Sequence, residues 1–195
     1  MSRLAASFVL GYHGCDADIA RRAVNGELTL LQSDKKYDWL GSGTYFWESD
    51  PTRAMEWARQ AKERNKISEP AVVGAIIDLG NCLDLLGREN IELVRLAYRE
   101  FVREQKRSKL PIPENRSLDG ESDNTLRFLD RAVIQFLHEV FEESGEPFDS
   151  VRGLFPEGDP LYPGAGFRDR NHIQIAVRNP ASILGLFYPT DQFSK

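Results

Sequence analysis

In the stretch NHIQIAVRNP, residues 171–180, Ile173, Ile175 and Val177 alternate with His172, Gln174, Ala176 and Arg178. A period of two is the mark of a strand with one apolar and one polar face, and it sets His172 and Gln174 on the same side. An imidazole and a carboxamide there can donate and accept hydrogen bonds with a polar ligand; a polar strand face can equally meet nothing but solvent. A second candidate lies in GYHGCD, where His13 ends an apolar run and Gly14 follows it. A glycine at that place lets a ligand approach the backbone, and the imidazole can bond a sugar hydroxyl, shuttle a proton or simply close the strand. In GSGTYFWE, Tyr45 and Trp47 share one strand face and Phe46 takes the other, so Tyr45 is fit to wall a planar ligand or to pack in a core. The loop GLFPEGDPLYPGAGFRDR brings Glu157, Asp159, Tyr162, Arg168 and Arg170, and long irregular stretches inside a compact chain usually carry function.

The absences narrow the field. There is no Walker phosphate loop, no dinucleotide fingerprint, no HExxH and no GxSxG. Cys15 and Cys82 stand far apart, and with three histidines they give no metal-ligand spacing, so no metal is expected and a reducing cytoplasm is the expected location. With 25 basic and 30 acidic residues the net charge is −5, which offers no global field for DNA, RNA or anionic lipid; a local patch from Arg168, Arg170 and Arg178 keeps nucleic acid open as a partner. The N-terminal run MSRLAASFVLGYHGC imitates a signal peptide but reaches Tyr12 and His13 without a cleavage site, and no run of about 18 apolar residues suggests a membrane span.

These residues need elements to hold them. SFVLGYH reads as a first strand and DADIARRAVNG as a helix with an aspartate cap and Gly26 as its stop. TYFWE is a short aromatic strand, followed by a helix that starts at Asp50 and Pro51 and runs to about Asn65. AVVGAIIDLG, residues 71–80, is apolar enough for a central strand buried on both faces. ENIELVRLAYREFVREQ and DNTLRFLDRAVIQFLHEVFEES carry apolar stripes at i, i+3, i+4 and i+7, which makes 88–144 a pair of amphipathic helices joined by the polar segment KRSKLPIPENRSLDGES. In this pair His138 reads as a packed residue without a role, and the basic run 103–109 as a solvated helix end. FDSVRGLF, HIQIAVRNP and ASILGLFY supply the last strands. Strands at both ends with helices clustered between them indicate an α+β fold, and a length of 195 residues suits one domain.

YHG on the first strand, GSGTYFWESDPTRAMEWA, and HIQIAVRNPASI near the C-terminus together resemble, in order and spacing, the three signature blocks of ADP-ribosyltransferases of the PARP and diphtheria-toxin type. Those blocks read roughly H-G-[ST], G-x-G-[IL]-Y-F-A with S-x-S-A on the next helix, and N-E-Y-[IV]-V-Y-D-P-x-Q-[IV]. The resemblance implies a split, twisted sheet holding NAD in a cleft, with residues 88–144 as a helical insertion that caps the site or binds a regulator such as an antitoxin. It implies that His13 and Gly14 bind NAD, that Tyr45 stacks on nicotinamide, and that Trp57, one position off in an ungapped alignment, is the nearest candidate for a second stacking residue. Gln174 falls where the family carries its catalytic glutamate, and Arg53 replaces the serine before Ala54. Loss of nicotinamide leaves an oxocarbenium-like ribose that a carboxylate stabilises; an amide keeps the hydrogen bond without the charge, a change commonly worth about 10²- to 10³-fold in rate. Glutamine at this position also occurs in relatives regarded as mono-ADP-ribosyltransferases. In the family, the loop before this strand meets the acceptor, so Glu157, Asp159, Tyr162 and Arg168 become expected acceptor-side residues, with Glu157 or Asp159 a source of the missing carboxylate. The expected function is mono-ADP-ribosyl transfer from NAD to a protein or nucleic-acid acceptor, as in a microbial toxin or defence effector, with an inactive NAD-binding module or an NAD hydrolase as the alternatives.

Overall fold

The computed structural model describes residues 8–117 and 125–190; the first seven residues of the N-terminal run and 118–124 of the inter-helix segment lie outside the described residues. Along the chain run β1 (Phe8–Asp16), α1 (Ala17–Val24), β2 (Thr44–Glu48), α2 (Pro51–Glu63), β3 (Pro70–Asp78), β4 (Cys82–Asp84), α3 (Arg88–Arg107), α4 (Phe128–Glu143), β5 (Ser150–Phe155), β6 (His172–Val177) and β7 (Ile183–Phe187). The caps follow the expected chemistry. Asp50 accepts from the Arg53 backbone N–H with Pro51 in the first turn of α2, and Asp16 caps α1. The second oxygen of Asp16 takes the Ser68 and Glu69 N–H groups, and these backbone bonds lower its pKa.

The strands form one sheet in the order β4-β5-β6-β2-β1-β3-β7. Only β4 and β5 pair in parallel; the other neighbours are antiparallel. The three strands that carry His13, Tyr45 and Gln174 are therefore adjacent: β1, β2 and β6. Strand β3, expected at the centre, lies sixth in the order, and Ile76 stays exposed because its partner in β7 is Gly185, which brings no side chain over it. The centre is the short aromatic strand β2.

Pairing is uneven around that centre. β1 runs nine residues against β3, from Phe8↔Asp78 to Asp16↔Pro70, but meets β2 only at Gly11↔Glu48 and Tyr12↔Trp47. Beyond Tyr12 the two strands part, and β2 continues against β6 from Trp47↔Gln174 to Thr44↔Val177.

One face of the sheet packs Phe46, Val73, Ala75, Ile77, Ile175 and Val177 against Ala20 and Ala23 of α1. The opposite face is covered in two parts. Helix α2 lies over Trp47 and Val72 through Ala54, and α3 and α4 bring Ala97, Phe101, Val133, Ile134 and Leu137 onto Leu40, Leu83, Val151 and Ala176. Trp47, under α2, and Ala176, under α3 and α4, mark where the two parts adjoin on β2 and β6.

His138 of α4 is fully buried, with neither ring nitrogen hydrogen-bonded, beside Phe148 and close to Gly41. Desolvation, aided by the charges of Arg178 and Arg131, pushes its pKa down to about 3. A histidine neutral in the fold and protonated in the unfolded chain stabilises the fold fully above about pH 6.5 and loses that contribution as pH falls toward 3. We expect His138→Leu to flatten the acid side of the stability curve by up to about 1.4 kcal/mol per pH unit between pH 6 and 4, measured by urea denaturation.

Candidate functional site

His13 stands where β1 and β2 separate. Its Nδ1 lies 2.8 Å from the Tyr45 carbonyl oxygen, and its ring leans on Phe46 at 5.7 Å. A carbonyl oxygen only accepts, so Nδ1 carries the proton and Nε2 is left as an acceptor. Burial lowers the histidine pKa, and the bond to Tyr45 opposes that only in part, which keeps the ring neutral near pH 7. Gly14, one residue on, faces α2: a side chain there would begin 2.3 Å from the Ala54 carbonyl oxygen and 3.2 Å from the Trp57 ring. Its close neighbour in this structure is the helix, and only a glycine lets α2 come so near.

Tyr45 is half-buried against the core beneath α3 and α4. Its hydroxyl donates to the Gly41 carbonyl at 2.8 Å and accepts the Leu40 N–H at 3.1 Å, fastening the loop before β2. Burial drives the phenol pKa well above its ordinary value, so it remains a neutral donor. Trp57 keeps 36% of its surface exposed at the α2 edge, with its ring 6.1 Å from that of Trp47.

Gln174 shares a cross-strand row with Trp47 on one side and Gly153 on the other. Its Oε1 accepts from the indole Nε1–H of Trp39 at 2.7 Å. The Trp39 ring lies over Gly153, where an added Cβ would come within 2.6 Å of it, and meets Phe155 edge-on at 5.1 Å. Arg127, just before α4, caps this pair with its guanidinium 5.0 Å from Phe155 and 5.9 Å from Trp39.

The period of two carries His172 onto the same face, stacked on Phe155 at 5.4 Å and 6.2 Å from Trp47. His172 Nδ1 donates to the Arg170 carbonyl at 2.7 Å, again fixing Nε2 as an acceptor, and burial lowers the pKa of the ring. Across from it, Arg53 lies over the Trp47 ring at 5.8 Å and forms bonds of 2.8 and 2.9 Å to the two oxygens of Glu157. The pair is sheltered, with side-chain exposures of 9% and 13%, and Glu157 also lies 3.7 Å from His172. Four atoms in this crevice are buried without a hydrogen-bond partner: Trp47 Nε1, Arg53 Nε and Nη1, and His172 Nε2. Three are donors and one is an acceptor, a demand that water or a ligand bearing both oxygen acceptors and a hydrogen donor would meet.

The rest of the 156–171 loop folds on itself. Pro160 bridges Arg168, the Asp169 N–H reaches the Asp159 carbonyl, and Arg168 donates to the Gly158 carbonyl. Asp159 and Tyr162 are exposed in this turn, so of the loop residues named from the sequence Glu157 is brought to Arg53 and His172, and Arg170 joins it through its carbonyl bond to His172 and a 3.6 Å approach to Glu157. Arg168 and Arg170 precede β6 and Arg178 follows it, about 20 Å along the strand and ion-paired with Glu142 of α4, so the three do not make one basic patch.

Sequence reading named His13, Gly14, Tyr45, Trp57, Gln174 and Glu157. It missed Trp39 and treated Arg53 only as a substitution. The alternation that sets Trp47 beside Tyr45, and His172 beside Gln174, was a usable signal for those two; nothing local marks a contact between Trp39 and a residue 135 positions away. Comparison with models of known families, with curated proteins and with solved structures found no match.

Replacing Glu157 by Gln leaves the Arg53 guanidinium buried opposite a neutral amide. Removing one partner of a buried pair costs about 3–5 kcal/mol, and the amide oxygen still accepts one bond, so a loss of about 3 kcal/mol in chemical denaturation is expected. Asp159→Asn, on the exposed turn, should stay within about 0.5 kcal/mol of the parent.

Proposed function

We propose that this protein is an NAD-dependent ADP-ribosyltransferase, a glycosyl-transfer enzyme that breaks the nicotinamide–ribose bond of NAD and passes a single ADP-ribose to an acceptor. The observation that carries this reading is the adjacency in the sheet of three blocks that are far apart in the sequence: His13 on β1 is bonded to the Tyr45 carbonyl of β2, and β6 pairs with β2 so that Ala176 lies opposite Tyr45 and Gln174 opposite Trp47. The resemblance of those blocks to the family, together with the adjacency of β1, β2 and β6, supports this reading, with the His13 ring on the Phe46 side of the sheet and Gln174 on the Trp47 side.

In this reading His13 Nε2, a neutral acceptor, takes a hydroxyl of the adenosine ribose, and Gly14 holds the strand against α2 beside it. Trp57, 36% exposed, offers a platform for the nicotinamide ring in place of Tyr45, whose ring packs beneath α3 and α4 with its hydroxyl bonded to Gly41 and Leu40. Gln174 lies against the nicotinamide ribose. As the bond from C1′ to the ring nitrogen breaks, nicotinamide leaves with the electron pair, and an acceptor nucleophile forms the new bond to C1′ and releases its proton. The amide of Gln174 offers a dipole to the cationic ribose where a carboxylate would offer a charge. Glu157 brings a carboxylate to the crevice, neutralised in part by Arg53. The unpartnered donors of Trp47 and Arg53 and the acceptor of His172 suit a ligand that carries phosphate or carboxamide oxygens together with hydroxyls.

A specific observation favours a second reading, an NAD-binding module without turnover. Trp47 stands where the family block carries alanine, and its buried indole, covered by the Arg53–Glu157 pair, occupies space beside Gln174.

Incubation with NAD labelled in its adenylate half separates the readings. Nicotinamide release with label on a macromolecule supports the transferase, release with free ADP-ribose supports an NAD hydrolase, and binding without release supports the module. In each case His13→Ala should weaken NAD binding at least about fivefold, the value of one hydrogen bond; unchanged affinity in calorimetry would remove His13 from the site.

A further inference from the structure

The bond between Trp39 and Gln174 has a direction. An indole N–H can only donate, so the carboxamide oxygen must face Trp39 and the NH₂ group must point away from it. Rotation that would exchange the two ends is opposed on several sides. The indole is seated over Gly153, where not even a methyl group would fit, abuts Phe155 and is covered by Arg127. Its neighbour Leu40 is fully buried and held by the Tyr45 hydroxyl.

We propose that Trp39 is a positioning residue that fixes Gln174 as a hydrogen-bond donor toward the ligand, so that the group read by Gln174 is an acceptor oxygen. This rests on the transferase or NAD-module reading for the identity of the ligand. A carboxylate in the same place would present acceptors only; Gln174, locked by Trp39, presents the opposite polarity. The complementary acceptor on this strand face is His172 Nε2, buried and unpartnered two residues away. Together they suit a sugar whose one oxygen receives the Gln174 N–H while a hydroxyl hydrogen is directed to His172.

The test is a double-mutant cycle on the full chain, with NAD and ADP-ribose as probes in calorimetry and thermal melting as a fold control. Trp39→Phe keeps an aromatic ring at this position while removing the donor and the outer part of the indole that lies over Gly153, a packing loss that the thermal control reads. It should weaken binding roughly fivefold, as for one hydrogen bond, when Gln174 is present and have no further effect in a Gln174→Ala background. Gln174→Glu, which retains the Trp39 bond and loses the NH₂, should bind more weakly than the parent by a similar factor. Equal effects of Trp39→Phe in both backgrounds, or tighter binding by Gln174→Glu, would overturn the proposal. A spectroscopic readout separates this from the fate of the NAD reading: in the free protein the Gln174 carboxamide protons should exchange slowly and broaden or collapse in Trp39→Phe, as seen by ¹⁵N NMR. If the parent binds neither probe, the NAD reading falls and the resonances alone judge Trp39. Identical carboxamide exchange in parent and Trp39→Phe refutes the positioning role whatever the ligand.

Discussion

The structure turns on a carbonyl group. Where β1 and β2 part after two residue pairs, the Tyr45 carbonyl has no strand partner on the β1 side, and the His13 imidazole supplies the missing donor. A polar backbone group left bare in such a place would cost about as much as a lost hydrogen bond. With it satisfied by a side chain, the sheet can open at its middle without breaking. The bond fixes the histidine tautomer, holds Phe46 in its place between β1 and β6, and lets Tyr45 turn its ring to the other face, where its hydroxyl ties down the loop that carries Trp39. One hydrogen bond thereby links both faces of the sheet.

The crevice over β2 and β6 is built from groups that are expensive to bury singly and tolerable together. Arg53 and Glu157 neutralise one another, Trp47 lies beneath the Arg53 guanidinium, and on the other side of Gln174 Trp39 and Phe155 carry the guanidinium of Arg127. Even so, Trp47 Nε1, Arg53 Nε and Nη1, Arg127 Nε and His172 Nε2 have no hydrogen-bond partner. Buried groups in this state call for ordered water or a ligand to complete their network, and those of His138 and Arg178 elsewhere in the fold share the demand.

Much of this was legible in the sequence. Period-two alternation gave β6 and its polar face, Asp50 and Pro51 gave the start of α2, and the apolar stripes gave α3 and α4. The order of the strands was not, because pairing between β2 and β6 joins residues some 130 positions apart and leaves no local mark; an apolar run such as 71–80 marks burial without telling centre from flank. The short strand β4 is three residues long, below what alternation can reveal. At the site, residue types that do chemistry stood out, while Trp39 and Arg53, which act by leaning on others, became visible only through their neighbours.

The place of β6 in the sheet has a consequence for the order of synthesis. It is inserted between β2 and β5, yet it is made after both, following the long excursion through α3 and α4 that β4 and β5 close in parallel. Contacts that span so much chain form late, since the entropy of the intervening loop must be lost before they repay it. A growing chain therefore holds the β6 side of β2 as an open edge until residue 177 has been made, and the cluster around Gln174 forms only after that point.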